Sequence, residues 1–573
     1  MCQDKVIIGD MCIEGRIIAG TEIYDKTDIY DRVKKMFSLL RRKVPVTPGL
    51  VMAIALERGI DYVIADLMAL QYGITFLNID LSFPKERIKY MLRDAEVSAI
   101  VCRRNCDIHV EKAKKIIIDQ YAEEHISDAV IEKEKNDIAY ILYTSGTTGI
   151  PKGVEVKREG LYWFIKDASD MVDFSWCKRI AAFTNQTFDI NYLEVFMGLL
   201  IGLDIVLGDD EDIVNPKKMI GIIKDNNIDT LQLTPSKFKM LQAVDKECLF
   251  LKNINVLMLG GEQFPVSLLN EINKKYKGKL YNMYGPTETT IWSTIADLTG
   301  KNRVTIGKPL KNTFVYIVDE NKKILPPGKT GEIAIGGKGL AKGYKNNTAL
   351  TNDKFILLNN GLKVYLTGDI GCFNMQGELE CMGRKDSQIK INGHRIELDE
   401  IDALIIKVED IDDSLTCFDH KNNQMYTFYC AKDNVNKLDF IKYLERLVPQ
   451  YMIPSKFIKV DKIKYTASGK SDRNAMLKGL LNLNVYKNTE NNILDDIQNQ
   501  VIKLIMITRR TGDSVGIDTS MAEIGIDSIT FVNIIVKVEE LYDIEFDDDN
   551  MIMDKYQTVN DFIEYIKQKI EVA

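Results

Sequence analysis

Apolar residues along the chain fall into two alternating patterns, short solid runs and longer stretches with helical spacing. Ile74-Thr75-Phe76-Leu77 and Val97-Ser98-Ala99-Ile100-Val101 have the length and composition of buried strands. Between them, the segment from Phe83 to Leu92 opens with Pro84 where a helix begins and places Ile88, Met91 and Leu92 on one face. The rhythm returns at Ile254–Gly260, which runs into a Gly260-Gly261 turn, and at Lys279–Gly285. Solid runs separated by helical segments predict an α/β layout, in which ligands collect at the carboxyl ends of strands. The first two dozen residues show no clear period, and no internal repeat is visible. Asn482–Asn491 is polar and reads as a linker. Beyond it Ile493, Leu494, Ile497, Val501, Leu504 and Ile505 share one helical face. A second helix, with Asp527 as its cap, begins near Asp527-Ser528 and carries Ile529, Val532, Ile535 and Val536.

The length of 573 residues exceeds what one hydrophobic core organises and implies roughly three to four domains. A net charge of −8 argues against nonspecific nucleic-acid binding. No signal-peptide pattern follows Met1 and no apolar run reaches the ~18 residues needed to span a bilayer, so a cytoplasmic protein without a membrane partner is expected. The ten cysteines are scattered, and Cys102 and Cys106 lack the spacing of a redox or zinc pair. Four histidines, none paired at ligand spacing, leave the chemistry to Lys, Asp, Glu, Ser and backbone groups.

The most informative stretch is Tyr143-Thr144-Ser145-Gly146-Thr147-Thr148-Gly149-Ile150-Pro151-Lys152-Gly153, entered from the apolar run Ile138–Leu142. Glycines let backbone N–H groups approach an anion, and the Ser and Thr hydroxyls add donors, so the loop reads as an oxyanion cradle for a polyphosphate. Its spacing is not that of the common nucleotide loop. Three later turns carry further candidates. Gly285-Pro286-Thr287-Glu288-Thr289-Thr290 offers a carboxylate suited to Mg²⁺, Tyr365–Asp369 ends a strand in a carboxylate suited to a ribose, and Gly383-Arg384-Lys385-Asp386 follows.

In this order these segments, with Gly331-Glu332-Ile333, Gly339, Gly343-Tyr344, the continuation to Glu397 and Thr466–Arg473, resemble the core motifs of nonribosomal peptide synthetase adenylation domains. That family belongs to the adenylate-forming superfamily, and the resemblance covers about residues 28 to 480. Ile524-Gly525-Ile526-Asp527-Ser528-Ile529 is similar to the attachment sequence of peptidyl carrier domains, where phosphopantetheine sits at a helix N-terminus. The resemblance implies a large α/β N-terminal core (1–385), a small α+β C-terminal lid (386–480) hinged at Asp386, a linker (481–491) and an all-α four-helix carrier domain (492–573). The lysine loop departs from the family pattern at Lys464, Ala467 and Ser468 but keeps Lys470.

The implied reaction joins a carboxylate to the α-phosphate of ATP and then passes the acyl group to a thiol. By resemblance Ser145, Gly146, Thr147, Thr148, Gly149 and Lys152 hold phosphates, Asn282 and Tyr284 contact adenine, and Asp369 and Arg384 bind ribose. Glu288 binds Mg²⁺ with Thr287 beside it. Lys470, Glu288 and Thr144 form the catalytic set, and Ser528 carries 4'-phosphopantetheine. Asp189 stands where the family pairs an α-ammonium group. Ile190, Leu193, Gln232, Met258, Gly260, Met283, Ile291 and Trp292 complete a pocket resembling the glycine-selecting set, with Met for Leu at two places. Glycine is the expected substrate and alanine the second. The lid is expected to rotate between steps, bringing the segment from Lys390 to Gly393 toward the site. The implied partners are a phosphopantetheinyl transferase and downstream synthetase or tailoring enzymes. A fatty-acyl or aryl-acid ligase leaves Asp189 without a task, and a noncatalytic nucleotide-binding carrier module leaves Lys470 without one. The acidic run Glu545, Asp547, Asp548 and Asp549 reads as a solvated face.

Overall fold

The computed structural model describes residues 7–8, 11–121, 137–146, 150–391, 394–408, 411–419, 424–431, 437–464, 472–483, 496–509, 515–524, 526, 528–542 and 544–572. Two large sheets form the core. The strands Thr75–Asn78, Val51–Ala55, Ala99–Cys102 and Lys114–Ile117 run parallel, with Ile138–Thr144 beside Thr75–Asn78. Lys152–Lys157 and Gly343–Tyr344 then close a seven-stranded sheet antiparallel. Val51–Ala55 is buried at every position, as expected of a parallel strand covered on both faces. In the nine-stranded sheet, Asp204–Leu207, Arg179–Ala182, Thr230–Leu233, Val256–Gly260 and Lys279–Tyr284 run parallel.

The helices Ile60–Gln71 and Arg158–Met171 lie between the sheets, in one apolar cluster that also takes in Met52, Phe76 and Tyr140 from the first and Ile180, Ile205 and Met258 from the second. The unperiodic N-terminal region forms strands. Ile17–Ala19 pairs in parallel with Asp204–Leu207, and Glu22–Tyr24 makes the sheet edge. Strands of two or three residues are too short to show a period in sequence.

A five-stranded sheet (Thr313–Val318, Gly331–Gly337, Lys363–Phe373, Phe355–Leu357 and Leu379–Arg384) completes the core. Beyond it the hairpin Gln388–Ile391 and His394–Glu397 leads into the helix Leu398–Ile405 and a three-stranded sheet of Ile411–Asp419, Gln424–Ala431 and Lys456–Lys459. Its core of Ile396, Ile401, Ile405, Phe440 and Leu444 is separate from the clusters of the larger sheets. At the C-terminus, the helices Asp496–Arg509, Ser528–Tyr542 and Val559–Val572 pack with short 3₁₀ turns at Met521–Ile524, Asp548–Asn550 and Met553–Lys555. The helix Ser528–Tyr542 lies against Pro235–Val244 of the core. That core helix starts cleanly because Thr234 caps it and Pro235 occupies its first turn. No helix among the described residues is long and apolar enough to cross a membrane.

Candidate active site

A cavity of about 1390 Å³ opens where the carboxyl ends of Val256–Gly260 and Lys279–Tyr284 meet the five-stranded sheet and the lid hairpin. At one end, Thr144 and Lys152 close the phosphate-loop candidate as directly paired strand residues. A Cβ on Gly146 would sit 2.1 Å from the Ile150 carbonyl oxygen, so this close approach requires glycine. Thr144 and Ser145 line the cavity, and the buried Thr144 Oγ1 has no hydrogen-bond partner among the described residues. Thr147, Thr148 and Gly149 lie outside the described residues, as does Lys470.

The lid fills this end with its own charges. Gly146 N–H donates to Glu400 Oε2 at 3.0 Å, Ser145 Oγ donates to the Arg395 carbonyl at 2.8 Å, and Arg87 Nη1 pairs with Glu400 Oε1 at 3.2 Å. Glu288 is fully buried, and Arg395 Nη1 donates to both of its oxygens at 2.9 and 3.0 Å. Tyr344 O–H adds a 2.7 Å bond to Glu288, and Lys152 Nζ stands 3.8 Å from both Glu288 and Glu397. Burial alone would push the Glu288 carboxyl up, but Arg395 and Lys152 outweigh it and hold it at about 2. Burial and the Arg395 charge lower Lys152 to about 8 against the pull of Glu288 and Glu397.

At the opposite wall, Tyr284 O–H donates to Asp369 Oδ2 at 2.5 Å and Arg384 Nη1 to Asp369 Oδ1 at 2.7 Å. Arg384 also grips Asp386 through Nε and Nη2 at 2.7 and 2.8 Å. Asp369 sits within the strand Lys363–Phe373, not at its end as the Gly368-Asp369 turn signal suggested. Pairing of Asp369 with Arg384 and of Phe373 with Leu379 carries the strand onward. Asn282 lines the cavity while its Nδ2 donates to the Thr305 carbonyl at 2.8 Å.

The cavity floor is apolar except for one carboxylate, Asp189. Asp189, Ile190, Met283 and Trp292 line it, whereas Leu193, Gln232, Met258, Gly260 and Ile291 are buried but are not part of the cavity wall. A Cβ on Gly260 would meet Met283 O at 2.6 Å and both Met283 Cβ and Trp292 Cη2 at 2.9 Å, so the indole packs directly on this glycine. Thr290 and Ile291, at φ +64° and +63°, turn the chain into Trp292; for a β-branched residue such as Ile291 this is a strained backbone. Thr289 Oγ1 and Ser293 Oγ at 2.6 Å, with Thr290 Oγ1 donating to Gly339 O at 2.6 Å, hold the turn. Asp189 precedes the short helical turn Ile190–Tyr192 but makes no capping bond, and its Oδ2 is buried without a partner among the described residues. Burial raises its pKa to about 6, against a hydrogen bond from Thr287 and the charge of Lys390.

Lys390 of the lid lines the cavity, and Arg395, Glu397, Glu400 and Arg87 are functional candidates to which the sequence reading gave no role. The available signal was the alternation His394-Arg395-Ile396-Glu397-Leu398, in which both charge signs occupy one side of an extended strand. Ser528 begins the carrier helix Ser528–Tyr542. Glu545, Asp547 and Asp549 of the acidic run are exposed, as a solvated face requires, and they also make ion pairs. Glu545 pairs with Lys217 at 3.8 Å and Asp549 with Lys218 at 2.7 Å, both on the core, and Asp547 pairs with Lys569 at 2.6 Å. These partners are remote in sequence, so a local charge run could not reveal them.

This cavity is walled by a loop whose Gly146 amide donates to a carboxylate oxygen and by the hairpin of the small C-terminal domain, an arrangement suited to an anionic ligand. The chain matches the AMP-binding enzyme family over residues 20–345, more than half its length, and belongs to that family. A phosphopantetheine attachment site matches residues 499–566. The chain thus pairs an adenylation domain with a carrier domain. It is 33% identical over 518 residues to the dimodular nonribosomal peptide synthase of Bacillus subtilis (strain 168), covering 87% of this chain and 21% of that protein. The chain therefore spans about a fifth of that relative. Among solved structures, holo-PA1221, a protein containing adenylation and carrier domains bound to a vinylsulfonamide inhibitor, superposes with a TM-score of 0.82 at 24% identity over 97% of this chain and 94% of that one. The four-domain synthetase holo-AB3403, solved with AMP and glycine, gives 0.58 at 26% identity over 97% of this chain and 41% of that one.

Proposed function

We propose that this chain activates glycine, with alanine second, as the aminoacyl-AMP and loads it on the phosphopantetheine of its own Ser528. The observation that carries the reading is the indole of Trp292 packed on Gly260 beside Asp189, which leaves the floor no room for a long side chain. The buried Asp189 Oδ2, without a partner among the described residues, calls for a cation, and an α-ammonium group supplies one where a fatty or aryl acid has none. The glycine bound to the AB3403 relative supports the same choice.

In this reading Lys470 bridges the substrate carboxylate and the α-phosphate as charge shifts between them. Asp369 and Arg384 hold the ribose, Asn282 and Tyr284 border the adenine, and Thr144 to Gly149 with Lys152 hold the β- and γ-phosphates. Mg²⁺ fits Glu288 and neighbouring hydroxyls, a hard carboxylate–oxygen set, and supplies charge neutralisation on the phosphates when bound. The Glu400 carboxylate on the Gly146 amide supports this reading of the loop.

The observed lid pose suits the second step. Arg395 takes the place proposed for the metal, and Glu400 that of a phosphate oxygen, so this pose and bound magnesium pyrophosphate exclude each other. Lys390 meanwhile faces the cavity that holds the adenylate. We place the protein in the cytoplasm, served by a phosphopantetheinyl transferase and passing its acyl group to downstream synthetase or tailoring enzymes. Intact-mass measurement tests the loading. The chain gains one phosphopantetheine after transferase treatment, then one glycyl group with ATP and glycine, and Ser528→Ala gains neither. A wild-type chain that gains no mass contradicts the carrier assignment.

A further inference from the structure

The first turn of the core helix Pro216–Asp225 breaks a rule of helix electrostatics. Its N-cap Asn215 accepts from the Lys217 and Lys218 amides, and no acidic residue stands in the turn. Two cations therefore occupy the positive end of the helix dipole, where carboxylates are favoured. Such a local conflict marks a functional site when something else resolves it.

Glu211 of the core meets Lys218 at 3.1 Å, and the carrier domain resolves the rest. Lys217 Nζ donates at 3.0 Å both to Glu539 Oε1 and to the Phe546 carbonyl, and Glu539 Oε1 also accepts from Phe546 N–H at 2.9 Å. The Phe546 amide thus holds this acid from within the carrier. The Lys217 and Glu539 side chains are only 16% and 18% exposed, which lifts this pair above an ordinary surface bridge. Lys218 pairs with Asp549, and Glu545, 89% exposed, stands 3.8 Å from Lys217. Beside this knot, Phe238 and Leu241 of the core share one apolar cluster with Phe531 and Ile535 of the carrier. Apolar contact of that kind supplies adhesion without discrimination, whereas charge complementarity sets partner choice and encounter rate.

We infer that Lys217 and Lys218 are the reader by which the adenylation core selects its carrier. The surface accepts a carrier domain that presents an acid at the Glu539 position and a second acidic cluster at the Glu545–Asp549 turn. It discriminates against carriers with neutral or basic residues there.

The test uses the full phosphopantetheinylated chain in single-turnover loading with ATP and amino acid. Reversing both lysines, K217E/K218E, slows thioester formation at least about tenfold, while pyrophosphate exchange and transferase modification stay at wild-type rates. Adding E545K/D549K, which leaves the Glu539–Phe546 contact intact, recovers a threefold or larger part of the loss. The neutral K217M/K218M loads at an intermediate rate and with a flatter salt dependence than wild type. Wild-type loading by K217E/K218E overturns the inference. So does a further loss, rather than recovery, on adding the carrier reversals.

Discussion

The floor of the cavity at Trp292 and its far end at Gly146 are both buried, yet they are filled in opposite ways. The floor is walled by the core, with Met283, Gly260 and a strained Thr290-Ile291 turn holding the indole, and the lid adds the charge of Lys390 acting on Asp189. The far end is filled by the lid, whose Arg395 and Glu400 engage Glu288 and the Gly146 amide. A pocket that selects a side chain must keep one shape through both half-reactions, so it is built from interdigitated core residues. A site that holds phosphates in one step and releases them before the next can be closed by a movable element bearing matching charges.

If this contrast is right, the largest effect belongs to the residue the lid delivers for the first step. Lys470→Ala lowers adenylate formation about 10²–10³-fold, the scale of losing one preorganised electrostatic group, while transfer from preformed adenylate stays within a few-fold. Equal loss in both half-reactions breaks the division of labour between the lid poses. Trp292→Leu comes next. One or two methylene-sized spaces are worth ~1–3 kcal/mol in substrate choice, so glycine exchange falls and the preference moves about tenfold or more toward larger side chains. An unchanged ranking removes Trp292 from the specificity account.

The pH dependence separates the two regions again. Asp189 rises to about 6 and must be ionised to pair an ammonium group. Between pH 7 and pH 5 the apparent KM for the amino acid therefore climbs about tenfold as the carboxylate takes up a proton. Glu288 is held at about 2 with Arg395 in place, and a bound Mg²⁺ in its stead keeps the same carboxylate ionised, so KM for ATP should change far less. Coincident profiles for the two substrates would contradict these assignments. The smallest effect is at the lid. Glu400→Gln weakens two charge-assisted contacts, to the Gly146 amide and to Arg87, by about 1 kcal/mol or more in total, so at least about fivefold less magnesium pyrophosphate blocks thioester transfer. An unaltered inhibition constant would argue that Glu400 does not compete with phosphate.

Thr144, Ser145, Asp189, Ile190, Met283 and Trp292 line the cavity and were legible because they lie in short segments with strong chemical character, whereas Leu193, Gln232, Met258, Gly260 and Ile291 lie behind the wall, a depth that position in sequence does not encode. The α/β layers followed from solid apolar runs such as Ile254–Gly260. What escaped was the closure between domains. Gly146 and Glu400 are 254 residues apart, and their contact depends on how two separately folded bodies are placed. Lys217 and Glu539, 322 residues apart, escaped for the same reason. Asp369 was misplaced at a strand end because a Gly-Asp turn signal carries no information about the partner strand that continues the ladder.

The central claim is that the Trp292–Gly260 floor makes this a glycine-activating enzyme. Exchange of labelled pyrophosphate into ATP, measured with each common amino acid in turn, tests it most directly. The account predicts the highest kcat/KM for glycine, a lower value for alanine by the tenfold or more that a methyl group is worth, ~1–3 kcal/mol, and background rates for larger side chains. A maximum with any larger amino acid would contradict it.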